Sequence, residues 1–188
     1  KEGAKQFVNL LSNQDLIELI AFNERPYRIV GWTQDKAAIH SAIDRLKACG
    51  DTAIYDAIWL AIEDIEKKEG CKVIVLCTDG KDNSSVHRFD ETRNFAKQAG
   101  IPVYVIGLQS KDLDGATLAK IASGTGGVYL EAEISAQLTE LYNQIGSKIK
   151  NQYRFVLNLD RDKDGKEHIL AITAGGRGKV RMERSYRL

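Results

Sequence analysis

The sequence has 188 residues, of which 43% are hydrophobic and 28% are charged, and its 27 basic and 26 acidic residues leave a net charge of +1. These proportions are typical of a soluble globular protein, and no apolar run approaches the length of a membrane-spanning helix. The balanced charge excludes a strong overall field, so we expect neither nucleic acid binding nor membrane insertion. A chain of this length buries enough apolar surface to fold without disulfides or metals.

The first quarter of the sequence predicts a helix followed by a strand pair. Apolar residues at helical spacing indicate a helix over residues 4–11. Two segments rich in β-forming residues, 15–22 and 27–32, are separated by the turn sequence NERP and predict a hairpin. We expect this hairpin to be the only antiparallel element of the main sheet. A short helix is predicted over residues 36–47.

Helices and strands then alternate. The segment DTAIYDAIWLAIEDIEKKEG has one apolar stripe and ends at Gly70, which indicates a helix. The run KVIVLCT follows at once, and its lack of alternation is typical of a strand covered on both faces. Further helices are predicted over 90–99, 114–123 and 135–150, and further strands over 101–108 and 126–132. This order predicts an α/β fold, with a doubly wound, mostly parallel sheet and helices on both faces.

The last part of the sequence has a different pattern. Strands are predicted over 153–160, 168–174 and 179–188, with turn sequences and no helices between them. The sequence therefore predicts two parts, an α/β domain over residues 1–150 and an antiparallel β extension over residues 151–188.

Three cysteines, Cys49, Cys71 and Cys77, form an odd number and lack the CxxC spacing of zinc or redox sites. At least one of them is therefore unpaired within the chain. We expect all three to be buried thiols.

Two segments carry candidate ligands at the carboxyl ends of predicted strands, where open α/β sheets bind ligands. Thr78 and Asp79 end the strand KVIVLCT, while Asp51 and Thr52 precede the strongest helix. Their hydroxyl and carboxylate oxygens are hard ligands that suit Mg²⁺, Mn²⁺ or Ca²⁺. Two simpler interpretations remain open: Asp51 or Thr52 caps the helix, and the sequence DGKDN (79–83) forms an ordinary turn.

The order of these motifs resembles the von Willebrand factor type A family over residues 1 to about 150. The motifs are TAIYDA, VIVLCTDGKDN, IPVYVIGL and LAKIASGTGGVYL, followed by a final helix. In that family a metal-ion-dependent adhesion site (MIDAS) holds a divalent cation with a DxSxS motif, a loop threonine and the aspartate of TDG. The resemblance implies that Thr52 and Asp79 are metal ligands. Asp51, Asp56 and Asp82 lie near these loops and are candidates for hydrogen bonds around the metal.

The sequence departs from the family pattern at its start. The family places DxSxS on the strand before the opening helix, and this sequence begins with that helix. The resemblance therefore implies that a central strand and three ligands are missing, as in a chain cut or processed at its N-terminus. We expect weak or no metal binding by this chain, although the complete domain would bind Mg²⁺, Mn²⁺ or Ca²⁺. We also expect unpaired edges on the two neighbouring strands.

The resemblance implies a non-enzymatic protein-binding module for adhesion or assembly, in which the partner supplies a carboxylate to the metal. One alternative is a metal-independent interaction scaffold. Another is a Mg²⁺-dependent phosphoryl-transfer or nucleotide-binding protein that uses Asp79, although the sequence lacks a phosphate loop and a general base. The extension resembles those of secreted or membrane-anchored bacterial members, which favours a location outside the cytoplasm.

A second candidate cation site lies in the extension. Asp160, Asp162, Asp164 and Gly165 match the first half of an EF-hand loop. The twelfth position is Ala171 where a bidentate glutamate is required, and no helices flank the segment. A hairpin turn is therefore the favoured interpretation.

Overall fold

The structure is a computed structural model of the chain, and it describes residues 1–150, 167–174 and 180–187. Contacts divide the chain into two compact units, Lys1–Tyr153 and Arg154–Leu188. The first unit contains the helices and the parallel strands, and the second contains an antiparallel pair.

Helices and strands of the first unit alternate along most of its length. The helices are α1 (Glu2–Leu10), α2 (Lys36–Arg45), α3 (Ile54–Glu66), α4 (Phe89–Ala99), α5 (Gly115–Thr125) and α6 (Leu138–Lys150), the last preceded by a 3₁₀ turn at Ser135–Gln137. The strands are β1 (Ile17–Phe22), β2 (Pro26–Thr33), β3 (Ile74–Thr78), β4 (Val103–Leu108) and β5 (Tyr129–Ala132). Each helix and strand that the sequence predicts in this unit is present, with ends that differ by a few residues.

Local signals place several helix ends. The Asp35 carboxylate accepts hydrogen bonds from the backbone N–H groups of Ala37 and Ala38 and so caps the start of α2. Helices α4 and α5 each end in a glycine with positive φ, Gly100 at 65° and Gly126 at 83°. A residue without Cβ takes this left-handed conformation at little cost, so both helices stop where the sequence indicates.

The central sheet is parallel, in the order β3-β4-β5. Strand β4 is buried on both faces. Val103 and Val105 face a cluster that contains Ile58 and Ile62 of α3, while Tyr104 and Ile106 face Tyr142 and Ile145 of α6. Burial on both faces explains why the strand sequences lack alternation.

Strands β1 and β2 pair in an antiparallel hairpin, from Ile17 opposite Thr33 to Phe22 opposite Pro26. The predicted hairpin is therefore confirmed. Its place in the main sheet is not as predicted, because within the described residues β1–β2 and β3-β4-β5 form two separate sheets. Among the described residues, β1 and β3 each have one edge without a hydrogen-bonded neighbour, as do β2 and β5.

The second unit contains an antiparallel pair, β6 (Glu167–Ala174) with β7 (Val180–Arg187). These strands correspond to the second and third strands predicted for the extension. The first predicted strand, over 153–160, lies outside the described residues, as does the EF-hand-like segment 160–166.

The expectation of buried thiols is wrong, because Cys49, Cys71 and Cys77 are all free and exposed. Cys49 lies in the loop after α2, and Cys71 lies in the segment before β3. Cys77 lies inside β3, but it also borders an open cavity between β3 and β1.

Candidate functional site

The loop before α3 and the loops after β3 and β4 meet at one end of the first unit. A cavity of about 390 Å³ opens there. Its lining residues are Gly50, Thr52, Asp79, Gly80, Lys81, Asn83, Ser110 and Asp112. The two predicted metal ligands therefore border the same cavity, although they lie 27 positions apart in the sequence.

Asn83 fixes the loop that carries Thr52. Its side-chain oxygen accepts a hydrogen bond from the Thr52 N–H at 2.8 Å, and its own N–H donates to the Thr52 carbonyl at 3.0 Å. The amide of Asn83 also donates to Asp51, at a long 3.4 Å. This reciprocal pairing ties the segment after β3 to the loop before α3.

The first turn of α3 is capped by residues that follow β3. The Asp82 carboxylate accepts a hydrogen bond from the Tyr55 N–H at 3.0 Å and from the Ser85 hydroxyl at 2.6 Å. The Ser85 hydroxyl oxygen accepts from the Asp56 N–H at 3.1 Å. Neither Asp51 nor Thr52 makes a side-chain cap, so the simpler interpretation of these two residues as caps is wrong.

The Thr52 hydroxyl and the Asp79 carboxylate are consequently available to a ligand. Within the described residues neither group makes a hydrogen bond or ion pair with another side chain. The Thr52 hydroxyl lies close to Gly80, since a Cβ at that glycine would meet it at 3.4 Å. Asp79 is held through its backbone, whose carbonyl accepts a hydrogen bond from the Ser110 hydroxyl.

Asp56 lies on the outer side of α3, where His87 and Val86 contact it. Its carboxylate accepts hydrogen bonds from the N–H groups of both residues at 3.0 Å and contacts His87 Nδ1 at 2.7 Å. Burial raises the pKa of Asp56, but these hydrogen bonds outweigh burial and hold the pKa below its usual range. Asp56 does not line the cavity of Thr52 and Asp79.

Sequence analysis missed four residues that shape the cavity: Lys81, Asn83, Ser110 and Asp112. Asn83 and Lys81 lie within the DGKDN segment, whose interpretation as an ordinary turn overlooks the cross-loop hydrogen bonds. Ser110 follows β4, and its position at the carboxyl end of a strand was a usable signal.

The donors that are present do not by themselves fit a resident metal ion. Among the described residues, no three His, Cys, Asp or Glu side chains are grouped so that they could hold one. Thr52 and Asp79 offer two oxygen atoms, whereas Mg²⁺ and Ca²⁺ take about six or more ligands. Lys81 also lines the cavity, and a positive charge there opposes a cation.

The helix-covered parallel sheet, the threonine loop and the TDG segment together define a von Willebrand factor type A fold. The sequence model of the von Willebrand factor type A domain matches residues 1–144. The chain belongs to this family, whose domains are generally non-enzymatic protein-interaction modules.

Relatives and solved structures agree with this assignment. A UPF0353 protein of Mycobacterium tuberculosis is 25% identical over 177 residues, which cover 79% of this chain and 52% of that protein. The chain therefore spans about half the length of the curated relatives it matches. A von Willebrand factor type A structure from Catenulispora acidiphila has a TM-score of 0.69 at 24% identity, covering 79% of this chain and 37% of that one.

A third similar structure is proximal thread matrix protein 1 from the mussel byssus with a zinc-occupied MIDAS motif. Its TM-score is 0.63 at 23% identity, and the match covers 77% of this chain and 39% of that chain. No helix in the described ranges is both long and apolar enough to span a membrane.

Proposed function

We propose that this domain binds a protein partner through the loop surface around Thr52 and Asp79, and that it catalyses no reaction. The observation that supports this proposal is the cavity shared by the two side chains. Their oxygens are free because Asp82 and Ser85 cap α3 in their place. The capped helix and the Asn83 pairing hold this surface in one shape, which lowers the entropy cost of binding.

We propose further that partner binding depends on a divalent cation only when other groups add oxygen ligands to those of Thr52 and Asp79. The family resemblance assigns those ligands to a DxSxS motif and to a carboxylate of the partner. Thr52 and Asp79 alone leave most positions around the ion to water, so the affinity of this chain for Mg²⁺ or Mn²⁺ is weak or absent.

Calorimetric titration with Mg²⁺ and Mn²⁺ tests this proposal. The chain is compared with a version extended before Lys1 by a strand that carries a DxSxS motif. We expect saturable heat only from the extended version, and its loss in the extended Thr52→Ala and Asp79→Ala variants. Ser84→Ala is the matched control, because Ser84 is on the neighbouring loop but does not line the cavity. Strong binding by the unextended chain, or undiminished binding by the variants, contradicts the proposal.

The second candidate function is a metal-independent interaction scaffold. It is favoured by Lys81, which lines the same cavity as Asp79 and brings a positive charge to it. Chelation distinguishes the two candidates once a partner is in hand. Loss of partner binding in EDTA supports the metal-dependent function, and retained binding supports the scaffold. Location outside the cytoplasm stays a prediction.

A further inference from the structure

The tip of the β1–β2 hairpin, residues 23–25, lies against the loop before α3. The Asn23 carbonyl accepts a hydrogen bond from the Ala53 N–H at 2.7 Å. On the same loop, a Cβ added to Gly50 would lie 3.1 Å from a Glu24 carboxylate oxygen. Because Gly50 also lines the cavity of the candidate site, the hairpin tip adjoins the proposed binding surface.

The guanidinium group of Arg25, at the hairpin tip, is held by one neighbouring side chain. Its Nε donates a hydrogen bond to the Tyr27 hydroxyl at 2.9 Å, and its Cζ lies 5.4 Å from the centre of the Tyr27 ring. These contacts restrict the rotamers of the arginine, so less conformational entropy is lost when a ligand binds. Since Nε is occupied, the Nη1 and Nη2 amino groups are the donors that remain for a ligand.

Arg25 differs from two other arginines of the domain, each of which has a carboxylate partner. Arg28 pairs with Asp64 through two nitrogens, and Arg93 pairs with Asp90 at 3.2 Å. Arg25 is exposed and forms no ion pair with a carboxylate among the described residues. Its two remaining amino groups lie in one plane and match the two oxygens of a carboxylate.

The charges around the cavity favour the hairpin tip as the position for an anion. Two carboxylates, Asp79 and Asp112, line the cavity beside a single cation, Lys81. The net negative charge of this lining opposes a further carboxylate there when no metal ion is bound. Arg25 does not line the cavity. A carboxylate that approaches this surface therefore has its favourable partner at the tip.

The hairpin tip is close enough to the Thr52 loop for one peptide segment to contact both. Chain connectivity through the hydrogen bond from Ala53 to Asn23 keeps the Cα atoms of Thr52 and Arg25 within about 18 Å of each other. An extended segment of about six residues spans that distance.

We propose that the protein partner presents an acidic peptide segment, whose Asp or Glu carboxylate binds the Arg25 guanidinium while the rest of the segment crosses the Thr52 loop. Tyr27 is the positioning residue that holds the guanidinium. This inference rests on the proposed function, because it names the chemistry of the partner that the same surface binds. The contact is exposed, so salt should weaken it.

Selection from a library of random peptides tests the proposal without a known partner. The library is displayed on phage and selected against the chain in EDTA, so that no divalent cation contributes to carboxylate binding. We expect Asp and Glu to be enriched in the selected sequences relative to the unselected library. Failure to select any peptide, or selection without this enrichment, overturns the proposal.

The affinity of a selected acidic peptide is then measured by fluorescence anisotropy with substituted proteins. Arg25→Gln should weaken binding at least about tenfold, because a charge-assisted contact to the carboxylate is lost. Lys97→Gln removes the same charge from an exposed position of α4 and should bind as the parent does. Circular dichroism establishes that both variants fold. Equal affinities of the two variants contradict the proposal.

A double-mutant cycle separates a direct contact from an indirect effect on loop shape. The second peptide of the cycle carries the amide, Asn or Gln, in place of its acidic residue. Arg25→Gln should not reduce the binding of this peptide, because the carboxylate that Arg25 binds is already absent. Tyr27→Phe keeps the ring and removes the hydroxyl, so it should weaken only the acidic peptide, by about threefold. Equal losses for both peptides overturn the proposal.

Thr52→Ala distinguishes failure of this inference from failure of the proposed function. A selected peptide that is weakened by Thr52→Ala but not by Arg25→Gln supports the proposed function and overturns the Arg25 contact. The opposite pattern supports the Arg25 contact and contradicts the proposed surface around Thr52. Analytical ultracentrifugation of the chain alone tests for a second copy as the occupant. Self-association that Arg25→Gln abolishes overturns the proposal of an acidic partner.

Discussion

The Asp82 carboxylate accepts a hydrogen bond from the Tyr55 N–H at 3.0 Å, so the first turn of α3 is capped by a side chain from the loop after β3. This contact joins the two segments that carry Thr52 and Asp79. Because Asp82 supplies the cap, the hydroxyl of Thr52 is not needed for it. The residues that cap the helix are therefore different from those proposed to bind a ligand.

Asp82→Ala should therefore destabilise the domain, whereas Asp51→Ala should not. Loss of the cap leaves the Tyr55 N–H without its partner and removes the Ser85 contact, at a cost of about 1–2 kcal/mol. Asp51 is exposed and makes only a long hydrogen bond of 3.4 Å, so its removal should change the free energy of unfolding by less than about 0.5 kcal/mol. Urea denaturation measures both values. Equal effects would show that the cap is misassigned.

Sequence reasoning could predict the helices and strands of the first unit because their signals are local. The apolar stripe of α3 and the unbroken apolar run of β3 each specify one element. The pairing of Asp82 with Tyr55 is different, since it joins residues 27 positions apart and depends on how two loops meet. The types and positions of Thr52 and Asp79, together with the family resemblance, identify them as candidates from the sequence. Only the structure shows that their side chains have no hydrogen-bond partner among the described residues.

The cysteines show a related limit. Cys77 lies in an apolar run, and the run predicts a covered strand. Whether another strand lies beside β3 cannot be predicted from the residues of β3 alone. The cavity between β1 and β3 leaves Cys77 exposed for that reason.

Asp56→Asn should lower stability in a pH-dependent manner. The substitution replaces the Asp56 carboxylate with a neutral amide, which is a weaker acceptor for the hydrogen bonds from the Val86 and His87 N–H groups. We expect the free energy of unfolding to fall by about 2 kcal/mol at neutral pH. The folded pKa of Asp56 is lowered, so its contribution is complete above the unfolded pKa of about 3.9 and is lost as the pH falls through the folded pKa.

Urea denaturation of both proteins between pH 5 and pH 2 checks this expectation. The difference in unfolding free energy between the parent and Asp56→Asn should be constant near pH 5 and should shrink below about pH 4. Asp90→Asn, at an exposed ion pair with Arg93 on α4, is the control and should have little effect throughout. A difference that grows with acidity would reverse the sign and contradict the assignment.

Thr92→Val should destabilise the packing between α3 and α4. The indole N–H of Trp59 donates to the Thr92 hydroxyl at 2.9 Å, and the indole ring is stacked between His87 and Phe95. Valine keeps the shape but leaves the indole N–H unpaired, at a cost of about 1–3 kcal/mol. Thr92→Ser keeps the hydroxyl and removes only a methyl group, so it should cost less. Thermal unfolding with tryptophan fluorescence measures both, and a milder effect of valine than of serine would refute the role of this bond.

Two glycines near the end of α5 should respond to alanine in opposite directions. A Cβ at Gly127 would lie 2.0 Å from the Val103 carbonyl oxygen, so Gly127→Ala must displace backbone and should cost at least about 2 kcal/mol. A Cβ at Gly124 would meet only Arg93 Cγ at 3.7 Å, and alanine favours a helix, so Gly124→Ala should stabilise by about 0.5 kcal/mol. Thermal melts of the two variants compare the sites directly. Similar melting temperatures would show that β4 does not constrain Gly127.

Asn83→Ala should loosen the Thr52 loop without unfolding the domain. The substitution removes the side-chain oxygen that accepts the Thr52 N–H, while the backbone bond from Asn83 to the Thr52 carbonyl remains. Loss of one such bond lowers the local opening free energy by about 1 kcal/mol, so hydrogen exchange at the Thr52 amide should accelerate about fivefold. Exchange in β4 should be unchanged, because its buried amides open only with the whole domain. Asn143→Ala, at an exposed position of α6, should leave Thr52 exchange as in the parent.

If Asn83 positions Thr52 for metal binding, Asn83→Ala in a DxSxS-extended chain should also weaken Mn²⁺ binding. Asn83→Asp keeps an oxygen that can accept the Thr52 N–H. Recovery of Mn²⁺ binding in that variant would show that loop geometry, and not loss of the amide group itself, causes the effect.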